Sequence, residues 1–175
     1  MADAGSTLDQ RVDLATATLA DIAADFAPAA FGTSYGAEDM VLLDLIARTA
    51  PRIEVFTLDT GRLPDETYAL MQRVRERYRI KVRVYFPDAA NVESYVRLNG
   101  INGLGDSIGQ VKECCHVRKV LPLRRALAGK KGWVTGLRRE QSAARAALAP
   151  SEFDPAHRLT KFNPMPPWSL DDVWA

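Results

Sequence analysis

KECCHVRK, residues 112–119, holds both cysteines of the 175-residue chain, Cys114 and Cys115, side by side among Lys112, Arg118 and Lys119. Neighbouring cysteines seldom bridge each other, because the small ring strains the peptide between them. Cations beside a thiol lower its pKa, and thiolates ligate zinc or iron–sulfur clusters. Both kinds of centre normally take about four ligands, so the pair reads as half a set. His116 adjoins it and His157 is distant in sequence. A Cys2His2 zinc site is therefore formally open, although the usual CxxC spacing is missing. The plain alternative is two buried cysteines packed as small apolar side chains.

Three other stretches carry residues suited to an anionic ligand. SYGAED (34–39) has Ser34 and Gly36 where backbone amides can turn toward an anion, with a helix dipole expected from Glu38 onward. It matches neither GxxxxGK[ST] nor GxGxxG, and Gly and Ser also serve turns for conformational reasons alone. In LDTGRLPDE (58–66), Asp59 and Thr60 suit a ribose or phosphate and Gly61 permits close backbone approach; an ordinary helix cap is the alternative. In TGLRREQSAAR (135–145), Arg138, Arg139 and Arg145 are expected to converge with Arg118 and Lys119 on phosphate oxygens, with Gln141 and Ser142 adding neutral contacts.

These residues need a scaffold that brings distant segments together. Leu8, Val12, Ala15, Leu19, Ile22 and Phe26 form a helical stripe that Pro28 ends. AAFGTS (29–34), IEVFTL (53–58), KVRVYF (81–86) and GWVTG (132–136) read as strands. Helices are expected from Glu38 to Arg48, with Val41, Leu42, Leu45 and Ile46 inward, and from Pro64 to about Tyr78. Another should turn Val117, Val120, Leu121 and Leu127 inward. Residues 87–111, with Gly100, Gly103, Gly105 and Gly109, read as a loop-rich passage suited to a lid. The Pro-rich text after Arg145 reads as irregular, until Ser169 and Asp172 announce a final helix. Alternation of helix and strand predicts an open α/β fold with a mainly parallel sheet flanked by helices.

Composition narrows the function classes. At 47% hydrophobic and 26% charged the chain has the makings of one globular domain, and no apolar run nears the roughly 20 residues of a membrane span. The N-terminus lacks an apolar signal core, and two cysteines make no disulfide framework, so a reducing cytoplasm is expected. Residues 112–145 carry ten Lys/Arg against Glu113 and Glu140 within a chain of net charge +1. Such a local surplus suits one anionic ligand rather than a nucleic-acid coat.

Taken together and in this order, SYGAED, LDTGRLPDETY, KECCxxRKxxPL, WVTGLRREQSAAR and KFNPMPPWSLDDVWA resemble the assimilatory phosphosulfate reductases, most closely the bacterial adenylyl-sulfate (APS) reductases. The resemblance implies an adenine-nucleotide α-hydrolase-like fold with a modified pyrophosphate loop, reducing adenylyl sulfate to sulfite and AMP in sulfate assimilation. Ser34, Tyr35, Gly36, Ala37, Glu38 and Asp39 would then face the phosphosulfate, and Leu58, Asp59, Thr60 and Gly61 the adenosine. Gly136 would belong to the same site, and Arg118, Lys119, Arg138 and Arg139 would supply its positive charge. Cys114 and Cys115 would be two of four ligands to a 4Fe–4S cluster, which relatives that reduce the 3′-phosphorylated substrate (PAPS) characteristically lack.

In the family a downstream CxxC completes the cluster site. A C-terminal cysteine attacks sulfur to form S-sulfocysteine, which thioredoxin or a glutaredoxin-type dithiol resolves. This chain stops before both, so the resemblance implies one reductase domain over 1–175 lacking its C-terminal part, with no nucleophile to assign. The alternatives are a PAPS reductase, a pyrophosphate-loop enzyme cleaving ATP, and a non-catalytic nucleotide-binding fragment. No nucleic-acid or membrane partner is expected, and a homo-oligomer is left open.

Overall fold

A computed structural model describes residues 6–103 and 107–175. Helix α1 (Leu8–Asp25) starts at a reciprocal capping box between Thr7 and Gln10 and buries Ala15, Leu19, Ile22 and Ala23. Strand β1 (Ala29–Gly32) follows, then α2 (Ala37–Thr49), β2 (Glu54–Leu58), α3 (Asp65–Tyr78) and β3 (Val82–Tyr85). These match the expected elements closely, except that α2 buries Leu43 while Val41 is only partly covered.

The passage 87–111 departs from the loop expected there. Helix α4 (Ala89–Asn99) is capped by the Asp88 carboxylate on the Asn91 amide and ended by Gly100 at φ +76°. Val92, Tyr95 and Val96 recur at helical spacing and pack on Cys114 and Val117. The glycine that suggested a loop is this helix's stop signal. A lid at Gly105 lies outside the described residues.

Helices α5 (Ile108–Cys115) and α6 (Leu121–Leu127) are joined without a break by one wide π-turn, His116–Val120, in which the Leu121 amide reaches the His116 carbonyl. Pro122 accounts for it. A proline cannot donate to the carbonyl four residues back, and its ring crowds that carbonyl, so the helix widens there. Val117 is buried as expected, whereas Val120 and Leu121 are only partly so.

Strand β4 (Gly132–Val134) returns to the sheet, and the region after Arg145 corrects the irregular reading. It contains a hairpin of β5 (Ser151–Asp154) and β6 (Leu159–Phe162). Pro150, Pro155 and Pro164 bracket these strands and interrupt neither, so the ladder keeps its donors. Helix α7 (Leu170–Trp174) begins at the expected Ser169–Asp172 capping box, and Asp172 also accepts from Arg11 of α1.

The six strands run β3-β2-β1-β4-β6-β5, all parallel except β5 against β6. The expected open, mainly parallel α/β fold is therefore the fold observed. One sheet face packs Phe31, Val55, Val134 and Phe162 under the N-terminal helices. The other packs Ala30, Phe56 and Trp133 against Ala126 and Leu127 of α6. Strand order reverses between β1 and β4, and open α/β sheets bind ligands beyond the carboxyl ends of their strands at such a reversal. Among the described residues no helix is long and apolar enough to cross a membrane.

Candidate functional site

Two connected hollows occupy the carboxyl end of the sheet beside that reversal. The first, about 310 Å³, is largely apolar, with Phe56, Leu58, Leu123 and Trp133 around it and Thr60 and Lys119 at its edge. Gly32 forms part of its wall because a Cβ there would stand 2.9 Å from the Phe56 ring. The second, about 380 Å³, shares Gly32, Ser34 and Trp133 with the first and continues past Gly36, Thr135 and Gly136 to Arg145 and Lys161. The second hollow also carries Glu38 and Asp39, with Glu38 already paired to Arg138 and Asp39 to Ser34. An apolar hollow beside a polar one with two cations at its wall suits a base or nucleoside carrying an anionic tail.

Residues 34–39 run from the β1–α2 turn into the first residues of α2, and their own side chains fill part of the hollow there. Both the amide and the hydroxyl of Ser34 donate to Asp39 Oδ2, at 2.6 and 2.8 Å. Burial is the main force raising the Asp39 pKa; the Ser34 hydrogen bonds offset it in part, and the Glu38 charge adds to it. Gly136 has to be glycine here, since a Cβ would come 2.5 Å from Asp39 Oδ1. Tyr35 holds a left-handed φ of 63° that is strained for a bulky residue, and burial pushes its hydroxyl up to about 12. Ala37 opens α2 at half-burial.

Glu38 turns the other way, to Arg138, whose Nε and Nη2 donate to Oε1 at 3.0 and 2.7 Å. Burial would raise the Glu38 pKa, but its own amide, Arg138 and Gln141 together hold it below the ordinary range.

At the second segment Leu58 lines the apolar hollow, and Asp59 is buried. The Asp59 carboxylate accepts the Gly61 amide at 2.7 Å and the Tyr68 hydroxyl at 3.0 Å, closing its own turn. Gly61 sits at φ +70°, and the Thr60 carbonyl accepts Arg118 Nη1 at 2.6 Å.

The basic residues do not converge as expected. Arg118 and Arg138 are buried at 8% and 4% exposure. Arg138 donates to Glu38 and the Trp168 carbonyl, whereas Arg118 donates from Nη1 to the Thr60 carbonyl and its buried Nε has no partner among the described residues. Arg139 Nε donates to the Leu148 carbonyl at 3.2 Å, and Ser142 is exposed. The cations that line the hollows are Lys119, Arg145 and Lys161. Lys161 opens the KFNPMPPWSLDDVWA stretch that carries part of the resemblance, but no site role is expected of it from the sequence; the pairing of β6 with β4 places it beside Trp133.

Cys114 is buried at 4% exposure and Cys115 partly covered, both free thiols at the start of the wide turn that ends in Lys119 and Val120. Cys114 packs against Tyr95, whose hydroxyl donates to the Gln110 carbonyl at 3.2 Å. Among the described residues no three His, Cys, Asp or Glu side chains gather where they could hold a metal. His157 pairs with Asp154 in the β5–β6 turn at 2.9 Å and is not brought to the cysteines, so the Cys2His2 alternative finds no site. Adjacent thiols among cations have the donor chemistry of a thiolate half-site, and no more than half.

Residues 28–175 match the family model described as phosphoadenosine phosphosulfate reductase domain. The chain belongs to this family. It is 45% identical over 169 residues to the adenosine 5′-phosphosulfate reductase of Allochromatium vinosum, covering 97% of this chain and 66% of that protein. Identity to the Burkholderia cepacia enzyme of the same name is 43% over 168 residues, covering 96% and 67%. The chain thus spans about two thirds of the length of the curated relatives it matches. Among solved structures it is similar to a phosphoadenylyl-sulfate reductase from Candida auris in a phosphate complex, with TM-score 0.75, 22% identity and coverage of 99% and 86%. A yeast FAD synthetase with bound FAD follows at TM-score 0.58 and 14% identity, covering 99% and 60%. At those identities the structures show a shared α/β fold.

Proposed function

We propose that this domain binds adenylyl sulfate within an assimilatory reductase that converts it to sulfite and AMP at the expense of two thiols. The observation that carries the reading is the single wide helical turn linking the Cys114–Cys115 pair to Lys119 at the wall of the apolar hollow. In this reading the cysteine chemistry adjoins the nucleotide site. Family membership and relatives named as adenosine 5′-phosphosulfate reductases support it.

In this reading the adenosine enters the hollow beside Leu58 and Trp133, with Thr60 and Gly61 at its edge. The phosphosulfate lies along Ser34, Gly36 and Gly136, near Arg145. Arg118, Arg138 and Arg139 act by holding Thr60, Glu38 and Leu148 in place. A cysteine thiolate outside this chain attacks sulfur; the S–O bond to phosphate breaks and AMP leaves. A second thiol, from thioredoxin or a glutaredoxin-type donor, attacks the S-sulfocysteine, releases sulfite and forms a disulfide. Sulfur gains two electrons and the two thiols lose them.

Cys114 and Cys115 would hold a 4Fe–4S cluster with two further thiolates from outside the chain. When bound, such a cluster supplies an anionic iron–sulfide body beside the substrate, and Lys112, Arg118 and Lys119 offset its charge. A cytoplasmic, reducing setting follows from thiol chemistry of this kind.

Two assays test the reading. A reductase that contains this domain together with the attacking cysteine, purified anaerobically, should release sulfite and AMP from adenylyl sulfate with thioredoxin present and leave PAPS and ATP untouched; pyrophosphate release from ATP would sink the assignment. Cys114→Ser and Cys115→Ser should each abolish bound iron. A variant that keeps a full cluster overturns the ligand role.

A further inference from the structure

Arg118 and Arg138 are locked by internal partners, and Lys130 by Glu54, but one cation in the polar hollow is held differently. Lys161 lies on β6, in register with Trp133 of β4, and its ammonium stands 5.8 Å from the Trp133 ring centroid. Its side chain is 18% exposed, and it lines the hollow that also holds Ser34, Gly36 and Gly136, together with Glu38, paired to Arg138, and Asp39, which accepts from Ser34. Its ion-pair partner is Glu152 Oε1 at 3.0 Å, on edge strand β5 and 49% exposed. A pair with one half-exposed carboxylate adds little stability, because water readily solvates the carboxylate once it is released. The Lys161 stem is fixed by packing while its counter-charge is exchangeable, and an ammonium has three donors.

We propose that Lys161 is a specificity-determining, anion-binding residue: when a nucleotide with a terminal anion enters, its ammonium leaves Glu152 for the ligand's outer oxygens. This rests on the adenylyl sulfate reading and deepens it, because it assigns the recognition of the sulfate end as distinct from the α-phosphate. Arg145 lines the same hollow, so the two cations flank the tail from different elements. The sulfate end carries a negative charge that AMP lacks at that distance from the base. Loss of Lys161 should therefore weaken ligands in the order of how far their charge extends.

The test is calorimetric titration of the chain with adenosine, AMP and adenylyl sulfate at fixed ionic strength. Lys161→Met keeps an apolar stem over Trp133 and removes the charge. It should weaken adenylyl sulfate about tenfold, equivalent to about 1.4 kcal/mol, weaken AMP less, and leave adenosine unchanged. Glu152→Gln should tighten adenylyl sulfate about threefold, the modest gain expected from freeing an exposed pair, and this gain should vanish in the double variant. Equal weakening of all three ligands would assign Lys161 a structural role and overturn the proposal. Unchanged adenylyl sulfate affinity, with the parent binding normally, would overturn it while leaving the site reading intact. If the parent binds no nucleotide, site reading and proposal fall together.

Discussion

Replacing Arg138 by Met tests whether the site's buried arginine is structural. Arg138 is 5% exposed at its side chain and donates twice to Glu38 and once to the Trp168 carbonyl, at 3.0, 2.7 and 3.2 Å. Met preserves much of the stem volume and removes every one of those donors. Glu38, 17% exposed, would then keep Gln141 at 3.1 Å and its own amide as partners, with no cation except at a distance. Removing one partner of a fully buried pair costs about 3–5 kcal/mol; partial access of water to Glu38 argues for the lower end, about 3 kcal/mol.

The pH dependence fixes the mechanism. In the parent protein the folded pKa of Glu38 is depressed, so its contribution is fully present above the unfolded value of about 4.3. It is lost as pH falls through the lower folded value. In Arg138→Met, burial is countered only by the Glu38 amide and Gln141, so the folded pKa should rise from its value in the parent. That variant's penalty is therefore full at neutral pH and shrinks as Glu38 protonates below about pH 5. Urea unfolding at pH 7 and at pH 4 reads both effects. A difference between parent and variant below about 1 kcal/mol at pH 7, or one equal at both pH values, would refute the account of this pair.

Two further substitutions probe the walls of the site. Gly136→Ala places a Cβ 2.5 Å from Asp39 Oδ1 and must push that carboxylate off Ser34; about 1–3 kcal/mol of stability should go, with weaker AMP binding, and unchanged values would show that Asp39 moves freely. Phe56→Ala removes a ring that is 1% exposed, edge-on to Tyr85 at 5.9 Å and in contact with Gly32; urea unfolding should record a loss of about 3–5 kcal/mol, and a loss under 1 kcal/mol would mean the hollow collapses to fill the gap.

The strands and helices that form the site's frame were legible because their signals are local. AAFG is a short apolar run and EVFTL a run rich in β-formers, both largely buried, and the helices after them carry apolar residues at helical spacing. Helix α4 was lost because Gly100 outweighed the Val92, Tyr95 and Val96 stripe just before it. The β5–β6 hairpin was hidden by prolines that lie between its strands and not within them. In both places a breaker marked an element's end, and density of breakers alone cannot tell an end from an absence of structure.

The same distinction governs the charges. The basic stretch 112–145 shows in the sequence that cations gather, but not which of them are free. Arg118 finds a carbonyl 58 positions away and Arg138 its carboxylate 100 positions away, so both are anchored by contacts between distant segments, although the buried Nε of Arg118 is left unpaired among the described residues. Lys161 is the converse case: it opens a stretch that carries the resemblance yet has no site role expected of it from the sequence, and register with Trp133 carries it into the polar hollow, where Glu152 is a partner it can leave. Local charge density thus located the ligand's sign. The division of those cations into ones that hold the walls and ones left to meet the ligand is a property of the fold, and it is the division on which the competing roles of Arg138 and Lys161 can be measured separately.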